Sequence, residues 1–210
     1  MIKHGQIAVE MPGIVAAYVG ANQVYGVPSG YTKLAGITFA AGTYYEITGF
    51  KLRGSDTVRF SASFDKACNV FGCYTTTSAT DNYSLYMSTS SGSKYLRYNG
   101  GTYSSYVSSN QYGTRYDVVI TPTGSSGLPN ANDSWSEQSF VASVDMCIGT
   151  TSTSATSSKL DGDMYGDFVV DGRFRGVPVK RNSDNKVGYY DVYTDTFYAP
   201  IGNNPTAITI

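Results

Sequence analysis

Val177-Pro178-Val179-Lys180-Arg181-Asn182-Ser183-Asp184-Asn185-Lys186-Val187-Gly188-Tyr189-Tyr190-Asp191-Val192-Tyr193-Thr194-Asp195-Thr196-Phe197-Tyr198 reads as strands joined by tight turns. Asp184-Asn185 suits a turn, because both side chains bond their own backbone and tolerate positive φ. Gly188 allows another backbone to come close to a strand. Thr194-Asp195 separates two aromatic runs, so residues 188–198 read as a closing hairpin. Tyr189, Tyr190, Tyr193, Phe197 and Tyr198 can clamp that hairpin through cross-strand aromatic pairs. Asp191 is placed to accept hydrogen bonds from the turn backbone.

The same pattern extends outward from this stretch. Thr57–Phe64 and Tyr83–Met87 are apolar at every second residue. Tyr95–Tyr98 runs into Asn99-Gly100 and on to Thr102-Tyr103, a strand, a two-residue turn and a strand. Arg115–Ile120, Phe140–Val144 and Phe168–Val170 add further strands. No segment keeps a helical period over three turns, and one helical turn is expected near Asp161–Met164. Short strands at intervals of roughly 8–12 residues indicate an all-β sandwich or barrel. Thr123–Ser139 and Thr150–Ser158 read as loops, the second almost pure Thr and Ser.

Composition narrows the function. The chain has 210 residues with 15% charged, against about 25% in an average protein, and a net charge of −1. A neutral chain without a basic block argues against nucleic acid held by its phosphates. No apolar run approaches the roughly 18 residues of a membrane helix, and Pro12-Gly13 spoils the N-terminal stretch as a secretory signal. One histidine, His4, rules out a His-based triad or a multi-His metal site within one chain. Cys68, Cys73 and Cys147 form no metal or redox motif. They read as reduced, half-buried thiols in strands, with one disulfide as the alternative.

The first residues differ from the rest. Ile14–Val19, a Gly20-Ala21-Asn22 turn and Gln23–Tyr25 suggest a small hairpin, followed by the breaker Gly26-Val27-Pro28. A lone hairpin is barely stable in water, so it needs something to pack on. The division is therefore an arm over residues 1–27 and a sandwich over residues 28–210. The tail Ala207–Ile210 alternates and is expected to add to the sheet of a neighbouring copy.

Two phrases resemble a known family. Pro28-Ser29-Gly30-Tyr31-Thr32-Lys33-Leu34, then Gly42-Thr43-Tyr44-Tyr45-Glu46-Ile47, is similar to the opening of the concanavalin A-like (laminin G-like) jelly-roll domains of bacteriophages and prophages from gut bacteria. The stretch from Pro178 to Tyr198 resembles their close more specifically, through Pro178, Gly188, Tyr190, Asp191, Phe197 and Tyr198. Val70-Phe71-Gly72 is similar to an internal strand, and Ala17–Tyr25 to an element that precedes such domains in phage structural proteins. The resemblance covers residues 14–202. It implies a jelly-roll sandwich of two antiparallel sheets in a virion structural protein, such as a fibre head, capsid decoration or tail-associated protein. Tyr18, Val19, Val24 and Tyr25 would then anchor the chain to other virion proteins, and self-association, a trimer first, is expected.

The same fold hosts glucanases, which carry two carboxyl groups about 5–5.5 Å apart on alternate residues of one strand. The three glutamates, Glu10, Glu46 and Glu137, are scattered, and none has an acidic residue at i+2. No enzyme is expected. A glycan contact is expected from Trp135 with Asp133 and Asn132, or from Tyr103 and Tyr106 with Asn99. Asp161, Asp163 and Asp167 form the one tight acidic group. That group is turn chemistry first and a calcium site second, and calcium is the only cofactor it leaves open. The other reading of the whole chain is a non-catalytic bacterial or prophage-encoded carbohydrate-binding module outside any particle.

Overall fold

The structure is a computed structural model that describes residues 16–19, 22–75, 80–87, 93–99, 101–106, 112–128, 131–153 and 159–210. These residues form strands and no helix. In chain order the strands are β1 (Ala16–Val19), β2 (Asn22–Gly26), β3 (Tyr31–Lys33), β4 (Gly36–Phe39), β5 (Tyr45–Ile47) and β6 (Val58–Phe64). Next come β7 (Cys68–Cys73), β8 (Tyr83–Met87), β9 (Ser93–Tyr98), β10 (Gly101–Tyr106), β11 (Arg115–Thr121), β12 (Gly124–Leu128) and β13 (Ala131–Ser134). The last are β14 (Met146–Ile148), β15 (Gly162–Val170), β16 (Phe174–Arg181), β17 (Val187–Asp191), β18 (Thr196–Tyr198) and β19 (Thr206–Ile208).

All pairings are antiparallel, which suits a chain whose turns are short and polar. The smaller sheet runs β10-β9-β8-β7-β14-β5. The larger runs β13-β12-β11-β6-β15-β16-β17-β18, with β4 beside β15, β19 beside β4 and β3 beside β16. A bulge between Tyr165 and Val169 divides β15, so its first half pairs with β4 and its second with β16. The hairpin β1–β2 is a separate two-stranded sheet. Asn99, Asn185 and Asp195 all take positive φ, at 49°, 59° and 57°, where the sequence places its turns.

The two larger sheets pack face to face on one aromatic core. Phe60 of β6 stacks on Phe168 of β15, and Phe71 of β7 meets both rings edge-on at 5.5 Å. Tyr45 of β5 meets Tyr189 of β17 at 5.0 Å. Much of the chain's tyrosine is therefore core. Buried hydroxyls need acceptors. Tyr98 donates to the Gly54 carbonyl at 2.7 Å, Tyr83 to Asp56 at 3.3 Å and Tyr45 to Val187 at 3.3 Å.

The closing hairpin pairs Tyr189 with Tyr198 and Tyr190 with Phe197. A Cβ on Gly188 would sit 2.4 Å from the Tyr198 carbonyl oxygen, so only glycine lets β18 lie this close. Pro178 lies in β16 opposite Tyr189, and its carbonyl accepts the Leu34 N–H just past the end of β3. An N–H there would point the same way, away from β17, so the proline costs no bond of the β16–β17 ladder. Tyr189 faces the core and Tyr190 faces outward. Outside, Tyr190 joins Val27, Val177 and Val179 in a second apolar cluster, bordered by Tyr31, Val192 and Phe197. Val27 is 4% exposed, so the segment leaving the hairpin is packed onto the outer face of the larger sheet.

Four expectations need correction. Phe140–Val144 is not a strand, its one ladder contact being an isolated bridge from Val141 to Arg53. Asp161–Met164 is not a helical turn. Residues 162–164 open β15, flanked by β4 and β6, which supply the backbone partners that a single turn could not. The stretch 123–139 is not all loop, since it contains β12 and β13, folded back on β11. The tail strand stays within its own sheet, with Ala207 opposite Ile37 and Ile208 opposite Gly36 of β4.

Candidate functional site

Strand pairing lays one row of residues across the smaller sheet: Glu46, Cys147, Gly72, Ser84, Arg97 and Thr102. Their neighbours Tyr45, Ile47, Met146, Ile148, Phe71, Tyr83, Leu85, Leu96 and Tyr98 belong to the core. Alternation therefore turns Glu46, Cys147 and Ser84 away from the core, onto the outer face, where Cys147 and Ser84 are themselves buried. Glu46 stands at the end of the row, on the edge strand β5.

Beside Glu46 is a cavity of about 330 Å3, lined by Glu46, Tyr74, Thr75, Asp145, Ser152 and Thr153, with Val144 as its apolar part. Three ties shape it. Asp145 accepts the Gly49 N–H at 2.7 Å, which fixes its carboxylate against the turn after β5. The Tyr74 N–H donates to the Thr151 carbonyl at 3.0 Å, joining the chain after β7 to the hydroxyl run after β14. The Thr75 N–H donates to the Asn82 side chain at 3.1 Å. The Glu46 carboxylate makes no hydrogen bond or ion pair with a described residue.

The cavity has a sign. Among the described residues its lining carries two carboxylates and no cation. Burial first, then the charges of Glu46 and Asp145, push the neighbouring Cys147 thiol up to about 12. Lys159 acts against that shift but is held elsewhere, 4.2 Å over the Tyr44 ring with its ammonium donating to the Gly42 carbonyl.

The residues expected to meet a glycan are dispersed. Trp135 is 9% exposed and lies 5.4 Å from the Tyr98 ring, in the core. Its bulk is used for packing between the sheets, so it offers no open ring face. Asn99 sits in the β9–β10 turn and donates to the Gln138 side chain at 3.0 Å. Gln138 borders a second cavity of about 360 Å3 with Arg53, Ser55, Glu137 and Phe140. Tyr103 and Tyr106 lie in β10, and Asn132 and Asp133 in β13, with their side chains outside the described residues. The side chains of Tyr18, Val19, Val24 and Tyr25 also lie outside them, although their strands pair as a hairpin.

The three aspartates of the acidic group do not converge. Asp161 pairs with Lys66. Asp163 accepts from the Thr38 hydroxyl at 2.5 Å and the Tyr165 hydroxyl at 2.8 Å. Asp167 pairs with Arg175 at 2.6 Å. Among the described residues no three His, Cys, Asp or Glu side chains cluster as a metal site. The three cysteines are free and fully buried, where the sequence suggested half-burial, because β7 and β14 lie inside the smaller sheet.

Sequence reasoning missed the cavity. Its one usable signal was the Thr/Ser run from residue 150, of which Ser152 and Thr153 are lining. Glu46 and Asp145 lie about a hundred residues apart in sequence, on segments brought together by β5–β14 pairing and the bonds beside it. No protein-family model matches the chain, and no curated protein matches it.

Proposed function

We propose that this chain is a bacteriophage virion structural protein. It joins the particle through its N-terminal arm and displays a concanavalin A-like jelly-roll sandwich that contacts host-surface glycans without cleaving them. The observation that carries the reading is the opposition of two surfaces. The arm leaves at Val27, on the outer face of the larger sheet, whereas the carboxylate- and hydroxyl-lined cavity opens on the outer face of the smaller one. A part that is held from one side and presented from the other needs this arrangement. The closing phrase from Pro178 to Tyr198, used here as a structural clamp, supports the same family reading. Self-association, a trimer first, would multiply a weak contact. Calcium is not required for it.

Two carboxylates in one cavity also raise hydrolysis as a test. Glu46 and Asp145 stand on separate segments, not on alternate residues of one strand as the glucanases of this fold carry theirs. Incubation with neutral oligosaccharides is expected to release no new reducing ends. Such release would replace the binding reading with an enzymatic one.

The arm is tested in the phage that encodes the protein. Codons for residues 2–25 are deleted, and purified particles are probed with antibody against the sandwich. The full chain is expected in particles. The shortened chain is expected to be folded and in the lysate but missing from particles, because β1 and β2 pair only with each other among the described residues. Incorporation of the shortened chain would sink the anchor. A full chain that never enters particles would favour the carbohydrate-binding module outside any virion.

A further inference from the structure

We infer that the cavity beside Glu46 takes an uncharged sugar unit, a neutral hexose or N-acetylhexosamine, and rejects uronic and sialic acids. The inference rests on the glycan reading above and adds the chemical class of the ligand. Its volume of about 330 Å3 falls at the lower end of small-molecule sites, which suits one sugar ring. Its lining combines what a sugar ring presents. Carboxylates accept from hydroxyls more strongly than neutral groups do. Thr75, Ser152 and Thr153 can donate or accept, and Tyr74 adds an aromatic surface.

The selectivity follows from charge. The Glu46 carboxylate makes no hydrogen bond or ion pair with a described residue, so its acceptor capacity is open to a ligand. Asp145 keeps further lone pairs beyond the one used by the Gly49 N–H. Among the described residues no Arg or Lys lines the cavity to receive a carboxylate. Two lysines near the lining are engaged: Lys159 by the Tyr44 ring and the Gly42 carbonyl, and Lys51 by the Ser143 carbonyl at 2.9 Å. An acidic sugar would bring a third negative charge to a half-enclosed site, where like charges repel more than in open water.

The test uses the full chain and calorimetric titration at millimolar ligand. The neutral probes are maltotriose, mannotriose and chitotriose. The acidic probes are a trigalacturonate and a hyaluronan tetrasaccharide. The intact capsular polysaccharide of the host is titrated alongside. At least one neutral probe is expected to bind and the acidic ones are not. Glu46→Gln is expected to weaken the neutral probe about tenfold, the loss of one charge-assisted hydrogen bond. Glu137→Gln, in the second cavity, is expected to change nothing, and melting curves of both variants check the fold.

Equal or tighter binding of an acidic probe overturns the inference and leaves the glycan reading intact. An unchanged affinity in Glu46→Gln does the same, as does a loss confined to Glu137→Gln. Binding abolished by EDTA would replace direct carboxylate contact with a bridging cation. If no oligosaccharide and no host polysaccharide binds, both the inference and the glycan reading fall.

Discussion

Asp191 is buried at the turn between β17 and β18 and accepts three hydrogen bonds. They come from the Arg175 N–H at 3.0 Å, the Tyr193 N–H at 3.2 Å and the Thr194 hydroxyl at 2.7 Å. Asp191→Ala removes the acceptor of all three bonds, of which the Tyr193 and Thr194 donors can turn to water, at a cost of roughly 3 kcal/mol. A melting curve should show a fall of about 10 °C for a chain of this size. Thr194→Val removes one donor only and should cost about 1 kcal/mol. Equal losses in the two variants would mean that the carboxylate does not organise the turn. The cysteines give a second prediction. Burial pushes Cys68, Cys73 and Cys147 up to about 12 from an ordinary value near 9. A raised folded value favours the neutral thiol, so this contribution is fully present below about pH 9. It is lost as pH rises from about 9 to about 12, because the unfolded chain ionises first. Each thiol contributes a slope of about 1.4 kcal/mol per pH unit in that window. Urea midpoints should be flat from pH 7 to 8.5 and fall steeply above pH 9.5. A Cys→Ala variant with the same alkaline slope would refute the assignment.

At the scale of elements, β4 shows how far apart the partners of one strand can be. It lies between β15 and β19, so its neighbours come from residues 162–165 and 206–208. A Cβ on Gly36 would stand 2.3 Å from the Met164 carbonyl oxygen, with the Ile208 side chain on the other side at 3.2 Å. Gly36→Ala must push two strands apart and should cost more than deletion of residues 206–210, which removes one short strand and the packing of Ala207. The deletion is expected to cost about 2 kcal/mol, read as a lower denaturant midpoint with the oligomeric state unchanged. A change of assembly without loss of stability would restore the tail as a strand given to a neighbour. This element also marks what the sequence could tell. Alternation made β6, β8, β11 and the β17–β18 hairpin legible, because each has one face on the core and turn residues at its ends. It did not reveal β14, since Met146, Cys147 and Ile148 are all buried and show no alternation. Nor did it reveal β12, whose Gly-Ser-Ser-Gly run looks like linker and is a strand only because β11 supplies its partners. The cavity was illegible for the same reason, being made where β5 meets β14. Trp135 misled in the opposite direction, because an aromatic residue among polar ones resembles a sugar platform until the partner sheet is seen to cover it.

For the whole molecule, the decisive property is that the sandwich has two unlike outer faces. On the larger sheet, Val177, Val179 and Tyr190 are covered by Val27, and the Arg181 guanidinium lies 4.5 Å over the Phe197 ring. That face is closed by the segment that leads to the arm. On the smaller sheet, Glu46 on the edge strand borders a half-enclosed cavity lined by two carboxylates. The net charge of −1 hides this difference, because it sums over both faces. If one face holds and the other binds, tethering should be tolerated on the first and harmful on the second. The buried thiols make the experiment clean, since a maleimide reacts with an exposed cysteine and leaves inert the three that are enclosed. Lys33→Cys places a tether on β3, opposite Val179 on the closed face. Thr75→Cys places it at the rim of the cavity. On a sensor surface, the chain held through position 33 should bind the neutral oligosaccharide found by titration as tightly as the free chain does. Held through position 75, it should lose most of that binding. Equal binding from both tethers would place the ligand away from the cavity. Loss from position 33 alone would reverse the assignment of the faces and with it the direction in which the arm points the domain.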